Sequence, residues 1–251
     1  IIMHRRNVVI TGASSGLGLG MAKQFALKNH NLALCARRIE LLTSLKEELL
    51  TINPNIKVQI YQLDVNDHQA VFSVFKQCQK DMGSIDRIIV NAGIGKGASI
   101  GTGFFKANLA TAQTNFVAAI AQCEVAMEIF RQQNNGHLVT ISSISAVRGF
   151  RRAMTVYAAT KAGLTSLTEG IRIDVMHTPI KVTCIQPGFI RTEINENVKT
   201  VPFRVDLETG CKAIVKAIDK EKANAYVPSF PWAFLHWLIR IAPSNLMRKM
   251  S

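Results

Sequence analysis

Tyr157 and Lys161 stand four residues apart at the end of a segment, SSISAVRGFRRAMTVYAATK over residues 142–161, that also holds three serines and three arginines. On a helix this spacing puts the phenol and the ammonium on one face, one turn apart. A free phenol titrates at about 10 and exchanges protons poorly at neutral pH. A neighbouring ammonium favours the phenolate, and lowering the phenol by two units takes roughly 2.7 kcal/mol of differential stabilisation. With a hydroxyl beside it, such a pair suits proton delivery to a carbonyl oxygen, or proton removal from a secondary alcohol. The same spacing also describes an ordinary exposed helix face, so the elements that would position the pair decide its meaning.

Short apolar runs alternate along the chain with longer segments of helical period. Strands are expected at Asn7–Thr11, Leu32–Ala36, Lys57–Tyr61, Arg87–Asn91, His137–Ser142, Lys181–Ile185 and Ala225–Val227. Helices are expected near Gly16–Lys28, Ile39–Leu50, Asp67–Met82, Lys106–Gln133, Thr155–His177 and Asp206–Glu221. Strands that read as unbroken apolar runs are covered on both faces. Their alternation with helices predicts one α/β domain over residues 1–251, a doubly wound, Rossmann-like parallel sheet of about seven strands. With 251 residues, 48% of them hydrophobic, the core needs no disulfide or metal staple. The five cysteines and six histidines show no ligand spacing, so no metal is expected.

The first strand runs into VVITGASSGLGLG, where Gly12, Gly16 and Gly18 lie between a strand and a helix. Such a turn brings backbone N–H groups and a helix N-terminus onto a phosphate. The spacing, with Thr11 in front, resembles the TGxxxGxG pattern of the short-chain dehydrogenase/reductase family. Further motifs of that family follow in order: Asn91-Ala92-Gly93 after the fourth strand, Asn115 in the next helix, Tyr157 and Lys161 as YxxxK, and Pro187-Gly188 after the sixth strand. The resemblance covers the chain to about Thr192. It implies cofactor contacts from Gly12, Ser14, Ser15, Gly16, Leu17 and Gly18, from Asp64 and Val65 at the adenine, and from Asn91, Ala92 and Gly93. It also implies that Ile190 and Thr192, after Pro187-Gly188, meet the nicotinamide carboxamide. Tyr157 becomes the acid/base, Lys161 holds the ribose and lowers the phenol pKa, and Asn115 holds a relay water. Segment 189–205 is expected to be a substrate flap.

Strand two ends in Arg37 and Arg38, where a ribose diol would need an acid. A guanidinium instead attracts a 2′-phosphate, which predicts NADP(H), with Arg37 ahead of Arg38 and Ser14 adding a hydroxyl. The hydroxyl that holds the substrate oxygen is less settled. The family often places it thirteen residues before the Tyr, which here is Ile144. Ser143 fits by local context, with one extra residue in GFRRAMTV; Ser145 is the alternative.

The formal charge of +13 suggests an anionic contact, and Arg148, Arg151 and Arg152 form a basic rim that fits an acyl carrier or is merely solvated. No nucleic-acid motif accompanies the charge. The C-terminal segment 228–251 is apolar and helical in pattern, with Phe234, Trp237, Leu238 and Ile241 on one face. It fits a cleft wall, a subunit interface or a peripheral membrane contact, and is too short to span a bilayer. The expectation is therefore a cytoplasmic homodimer or homotetramer, with peripheral membrane contact as a further reading. It would reduce a lipophilic carbonyl or oxidise a secondary alcohol. A 3-oxoacyl thioester is the alternative substrate, and a non-catalytic nucleotide-binding regulator the alternative class.

Overall fold

The computed structural model describes residues 5–192 and 203–250 of the chain. Its strands are β1 (Asn7–Thr11), β2 (Asn31–Ala36), β3 (Val58–Gln62), β4 (Arg87–Val90), β5 (His137–Ile141), β6 (Lys181–Pro187) and β7 (Asn224–Val227). They form one sheet in the order β3-β2-β1-β4-β5-β6-β7, and every pair is parallel. The alternation of side chains divides each strand between two cores. Val8, Ile10, Leu32 and Leu34 face α1 (Gly16–Leu27), α2 (Ile39–Ile52) and α7 (Leu207–Asp219). Val9, Ala33 and Cys35 face α3 (His68–Met82) and α5 (Ala118–Gln133), and on this same side Leu164 of α6 (Met154–Asp174) is buried. This two-sided burial is the reason the strands read as continuous apolar runs.

The expected strands and helices agree with these bounds to within three residues, with one exception. The long helix expected at Lys106–Gln133 is three pieces: α4 (Phe105–Ala112), a π-helical turn over Gln113–Val117, and α5. Two helices follow β7: α8 (Ser229–Ile241) and α9 (Ser244–Met250). Of the expected flap, residues 193–202 lie outside the described residues; its ends are joined by a bridge between Ile190 and Val205.

The amino-terminal edge of the sheet carries a buried polar cluster. Arg87 starts β4 and is 2% exposed; its Nε donates to Nδ1 of His137 at 2.9 Å and its Nη1 to Asp219 at 3.1 Å. His137 Nε2 is 2.8 Å from the Thr183 hydroxyl, so the ring accepts from Arg87 and gives its own N–H to Thr183. Beside them, Arg5 pairs with Glu221 and donates to Asn135.

Candidate active site

The chain order reverses direction between β1 and β4, and in such sheets a crevice opens beyond the carboxyl ends at that point. A cleft of about 460 Å³ lies there. Nearly every residue expected at the site lines it: Gly12, Ser14, Ser15, Gly16 and Leu17 from the glycine loop; Arg37, Arg38, Asp64 and Val65 past β2 and β3; Asn91, Ala92 and Gly93 past β4. Ser143, Tyr157 and Lys161 stand on the far side, with Pro187, Gly188, Ile190 and Thr192 past β6. Gly18 and Asn115 are the two expected residues that do not reach the cleft surface.

Gly18 is structural. A Cβ there would lie 2.3 Å from the Gly12 carbonyl oxygen, so its role is to let α1 press against the loop. Gly12, with φ of +64°, turns the chain beneath Ala92. The loop is braced by Asn91, whose Nδ2 donates to the Thr11 carbonyl at 2.9 Å, while the Thr11 hydroxyl accepts from the backbone N–H groups of Asn91 and Ala92. The start of α1 has open donors. Ser15 at its N-cap makes no side-chain capping bond and no acid follows in the first turn, whereas Asp67 and Asp206 cap α3 and α7. Uncapped N–H groups at a helix start suit phosphate oxygens, so the loop fits a dinucleotide.

Of the two arginines past β2, Arg38 is the one whose guanidinium bonds to the glycine loop: its Nη2 lies 3.4 Å from the Ser14 hydroxyl and 3.3 Å from that of Ser15. Arg37, ranked first by its place in the sequence, contributes its carbonyl to Gln62. Asp64 accepts from the backbone and side chain of Asn66 through one carboxylate oxygen; the adjacent helix cap is Asp67.

At the opposite end of the cleft, Lys161 is 5% exposed and donates to the Ile141 carbonyl at 2.9 Å. Burial pushes its ammonium down to about 8. Its Nζ is 5.8 Å from the centre of the Tyr157 ring. Burial also pushes the Tyr157 phenol above its ordinary value, and the hydrogen bond with Ser143 opposes that shift. Lys161, itself desolvated, does not offset the burial of the phenol. Desolvation penalises the phenolate in the same dry pocket that weakens the ammonium.

The three serines differ in their partners. Ser142 is spent on the Lys161 carbonyl and the Thr165 hydroxyl. Ser145 gives both its backbone N–H and its hydroxyl to the Ser143 oxygen, at 3.2 and 2.9 Å. Ser143 lines the cleft, where its remaining hydrogen bond is with Tyr157. Asn115 sits inside the π-turn, 1% exposed, and its amide is engaged chiefly with Ile94: Oδ1 accepts from the Ile94 N–H at 2.8 Å and Nδ2 donates to the Ile94 carbonyl at 2.9 Å, with the Thr160 hydroxyl a longer contact of Nδ2 at 3.5 Å. It extends β4 by a side chain rather than presenting its amide to the cleft. Gly93 permits this packing, since a Cβ there would meet Asn115 Oδ1 at 3.2 Å and Lys161 Nζ at 3.6 Å.

The arginine rim has a use that the sequence did not suggest. Arg148 donates through Nη1 to the carbonyls of Ile239 and Ala242, and Arg151 donates to the carbonyl of Arg248 at 3.1 Å. Both therefore satisfy carbonyls in the last turns of α8 and α9, where cations are favoured. They tie the C-terminal helices to the loop between Ser143 and Tyr157. Trp232 anchors the start of α8: it is buried edge-on to Phe189 and Phe203, and a Cβ on Gly188 would collide with its indole.

Residues 6–202 match the short chain dehydrogenase family. An uncharacterized oxidoreductase of Mycobacterium tuberculosis is 48% identical over 247 residues, covering 98% of each chain. A 3-oxoacyl-[acyl-carrier-protein] reductase of Rattus norvegicus is 26% identical over 92% of this chain and 94% of its own. The crystal structure of an NADPH-dependent 3-quinuclidinone reductase from Rhodotorula rubra superposes with a TM-score of 0.80 at 24% identity, covering 90% of each chain. The cleft at the sheet's reversal point, the braced glycine loop and these matches lead to one conclusion: the chain belongs to the short-chain dehydrogenase family and is an oxidoreductase of that family.

Proposed function

We propose that this oxidoreductase uses NADP(H) to interconvert a carbonyl and a secondary alcohol on a lipophilic small molecule. The observation that carries the cofactor choice is the pair Arg37–Arg38 past β2, with the Arg38 guanidinium against the hydroxyls of Ser14 and Ser15. A 2′-phosphate brought there gains a guanidinium and two hydroxyl donors, and a ribose diol finds no carboxylate to accept from it. The cofactor, when bound, supplies or accepts the hydride.

The chain's own residues manage the proton. Tyr157, held neutral by burial, is a proton donor at neutral pH. Ser143, braced from behind by Ser145 and hydrogen-bonded to Tyr157, turns its hydroxyl proton to a substrate oxygen that enters beside the phenol. As the carbonyl carbon is reduced, charge develops on that oxygen and the Tyr157 proton is delivered to it. Lys161, titrating at about 8, is suited to pass a proton back towards the phenol. Asn115 fixes the Ile94 backbone next to Lys161 and acts through position.

The test of the cofactor is the ratio of kcat/KM for NADPH and NADH, in the wild-type protein and in Arg38→Asp. A preference for NADPH of about tenfold or more, narrowed or reversed by the substitution, is expected. Equal use of the two cofactors by the wild-type protein overturns the reading.

Reduction of a 3-oxoacyl thioester is the second reading, favoured by the name of the rat relative. Against it, Arg148 and Arg151, which would meet an anionic carrier, are committed to the ends of α8 and α9. For assembly, exposed Phe105, Leu109, Val117 and Ile120 along α4 and α5 suit contact between copies in a homodimer or homotetramer.

A further inference from the structure

We infer that the outer face of α8 is a docking surface for an anionic lipid bilayer, held beside the mouth of the active-site cleft. The helix divides into two faces. Trp232, Leu235, His236 and Ile239 turn inward, and His236 lies against Tyr226 with ring centres 4.6 Å apart. Phe234, Trp237 and Ile241 turn outward and are 57–60% exposed; Leu238 lies beside them at 36%, and Phe230 at the start of the helix is 82% exposed. An aromatic-rich stripe with cationic flanks is the composition of a helix that lies in the plane of a membrane interface. None of the described helices is long and apolar enough to cross a membrane, so the contact is peripheral.

The charge around the stripe argues for a bilayer over a second copy of this chain. From Lys222 to Ser251 there is no Asp or Glu, and none from Ile129 to Thr168, the stretch that carries the arginine loop packed against α8 and α9. Arg240 on α8, Arg248 on α9 and Arg152 in the arginine loop are exposed. A twofold contact would set this basic rim against its own like, whereas anionic head groups neutralise it while the acyl boundary takes the aromatic rings.

The presentation is fixed by the fold. Trp232 is buried at one end of α8, and Arg148 holds the carbonyls of Ile239 and Ala242 at the other, so the stripe cannot roll inward without breaking both. Because Arg148 lies between Ser143 and Tyr157, docking places the cleft mouth next to the layer in which a lipophilic substrate dissolves. The inference itself does not depend on which substrate or cofactor the enzyme uses.

The test is flotation of the full chain with phosphatidylcholine vesicles, with and without about one third phosphatidylglycerol, read together with tryptophan emission. Trp237 is exposed and Trp232 buried, so a blue shift on binding reports Trp237. Binding to the anionic vesicles, weakened by salt and reduced roughly tenfold or more in Phe234→Ser/Trp237→Ser, is expected, with turnover of a water-soluble ketone unchanged. Failure of the wild-type protein to float with anionic vesicles overturns the inference. So does undiminished binding by the double variant, or an oligomer in light scattering that the double variant dissociates, which would assign the face to a second copy.

Discussion

Two buried cations sit at opposite ends of the same sheet, and their surroundings differ. Arg87, at the amino ends of the strands, has a carboxylate at 3.1 Å, an imidazole at 2.9 Å and the Phe25 ring beneath it. Lys161, at the carboxyl ends, has one backbone carbonyl, and its pKa is driven down to about 8 by burial. Burial lowers Arg87 as well, but Asp219 offsets part of that shift. A cation whose partners are all supplied by the fold stabilises its surroundings. A cation left short of partners is a stability cost that is kept for the chemistry beside it.

The comparison can be broken most sharply at the cleft. Tyr157→Phe removes the phenol hydrogen-bonded to Ser143, the proposed acid. A fall in kcat of about a thousandfold, with NADPH binding nearly intact by fluorescence titration, is expected. Retained turnover would remove the acid/base role.

The two cations should respond in opposite senses to the same substitution. Arg87→Met orphans His137 Nδ1 and leaves Asp219 with Lys28 as its cation, so a loss of about 3 kcal/mol in urea unfolding is expected, with kcat little changed in the protein that remains folded. Lys161→Met should abolish activity and yet stabilise the cofactor-free protein. Its displacement from 10.5 to about 8 costs roughly 3 kcal/mol when the group is charged, and an orphaned Ile141 carbonyl returns roughly 1 kcal/mol of that. Equal losses in both variants would show that the two sites are energetically alike.

The smaller test is in pH. Between pH 8 and 10.5 the unfolded chain keeps the Lys161 proton that the folded chain releases, so wild-type stability falls as pH falls through this window. The difference between wild type and Lys161→Met should therefore be fully developed below pH 8 and close towards 10.5. At the other end His137 is held neutral, chiefly by burial and then by Arg87, well below its ordinary 6.5. Its contribution is present above 6.5 and is lost as pH falls below that value, because only the unfolded chain takes up the proton. Thermal melts of wild type and His137→Gln across both windows separate the two groups. A gap between them that does not change below 6.5 would contradict the assignment at His137.

Local pattern explains most of what could be read in advance. The strands were legible because a sheet covered on both faces leaves no polar alternation to confuse the signal. The glycine loop and the Tyr157–Lys161 pair were legible because backbone approach and one-turn helix spacing are properties of neighbouring residues. Asn115 was expected in the helix after Asn91-Ala92-Gly93, holding a relay water, but its engagement with Ile94 depends on a π-turn that no residue in QTNFV announces. Which of Arg37 and Arg38 meets Ser14 and Ser15 depends on how β2 lies against the glycine loop, and the order of residues does not tell it. Ser145 was weighed as a rival to Ser143 and proved to be its support, since the chain turns into a 3-10 helix at Ile144 instead of staying extended.

What the sequence determined by itself was the order of strands and helices, the glycine loop, and most of the residues that line the cleft. Each is written in spacings of a few residues, over which the chain's geometry is nearly fixed. Tertiary structure alone decided where distant charges met. It sent Arg148 and Arg151 to the carbonyls of two helices some ninety positions away, gave Arg87 its carboxylate from α7, and left Lys161 nearly bare. A cation's worth depends on its solvent and its partners, and both are assigned only when the chain has closed around it.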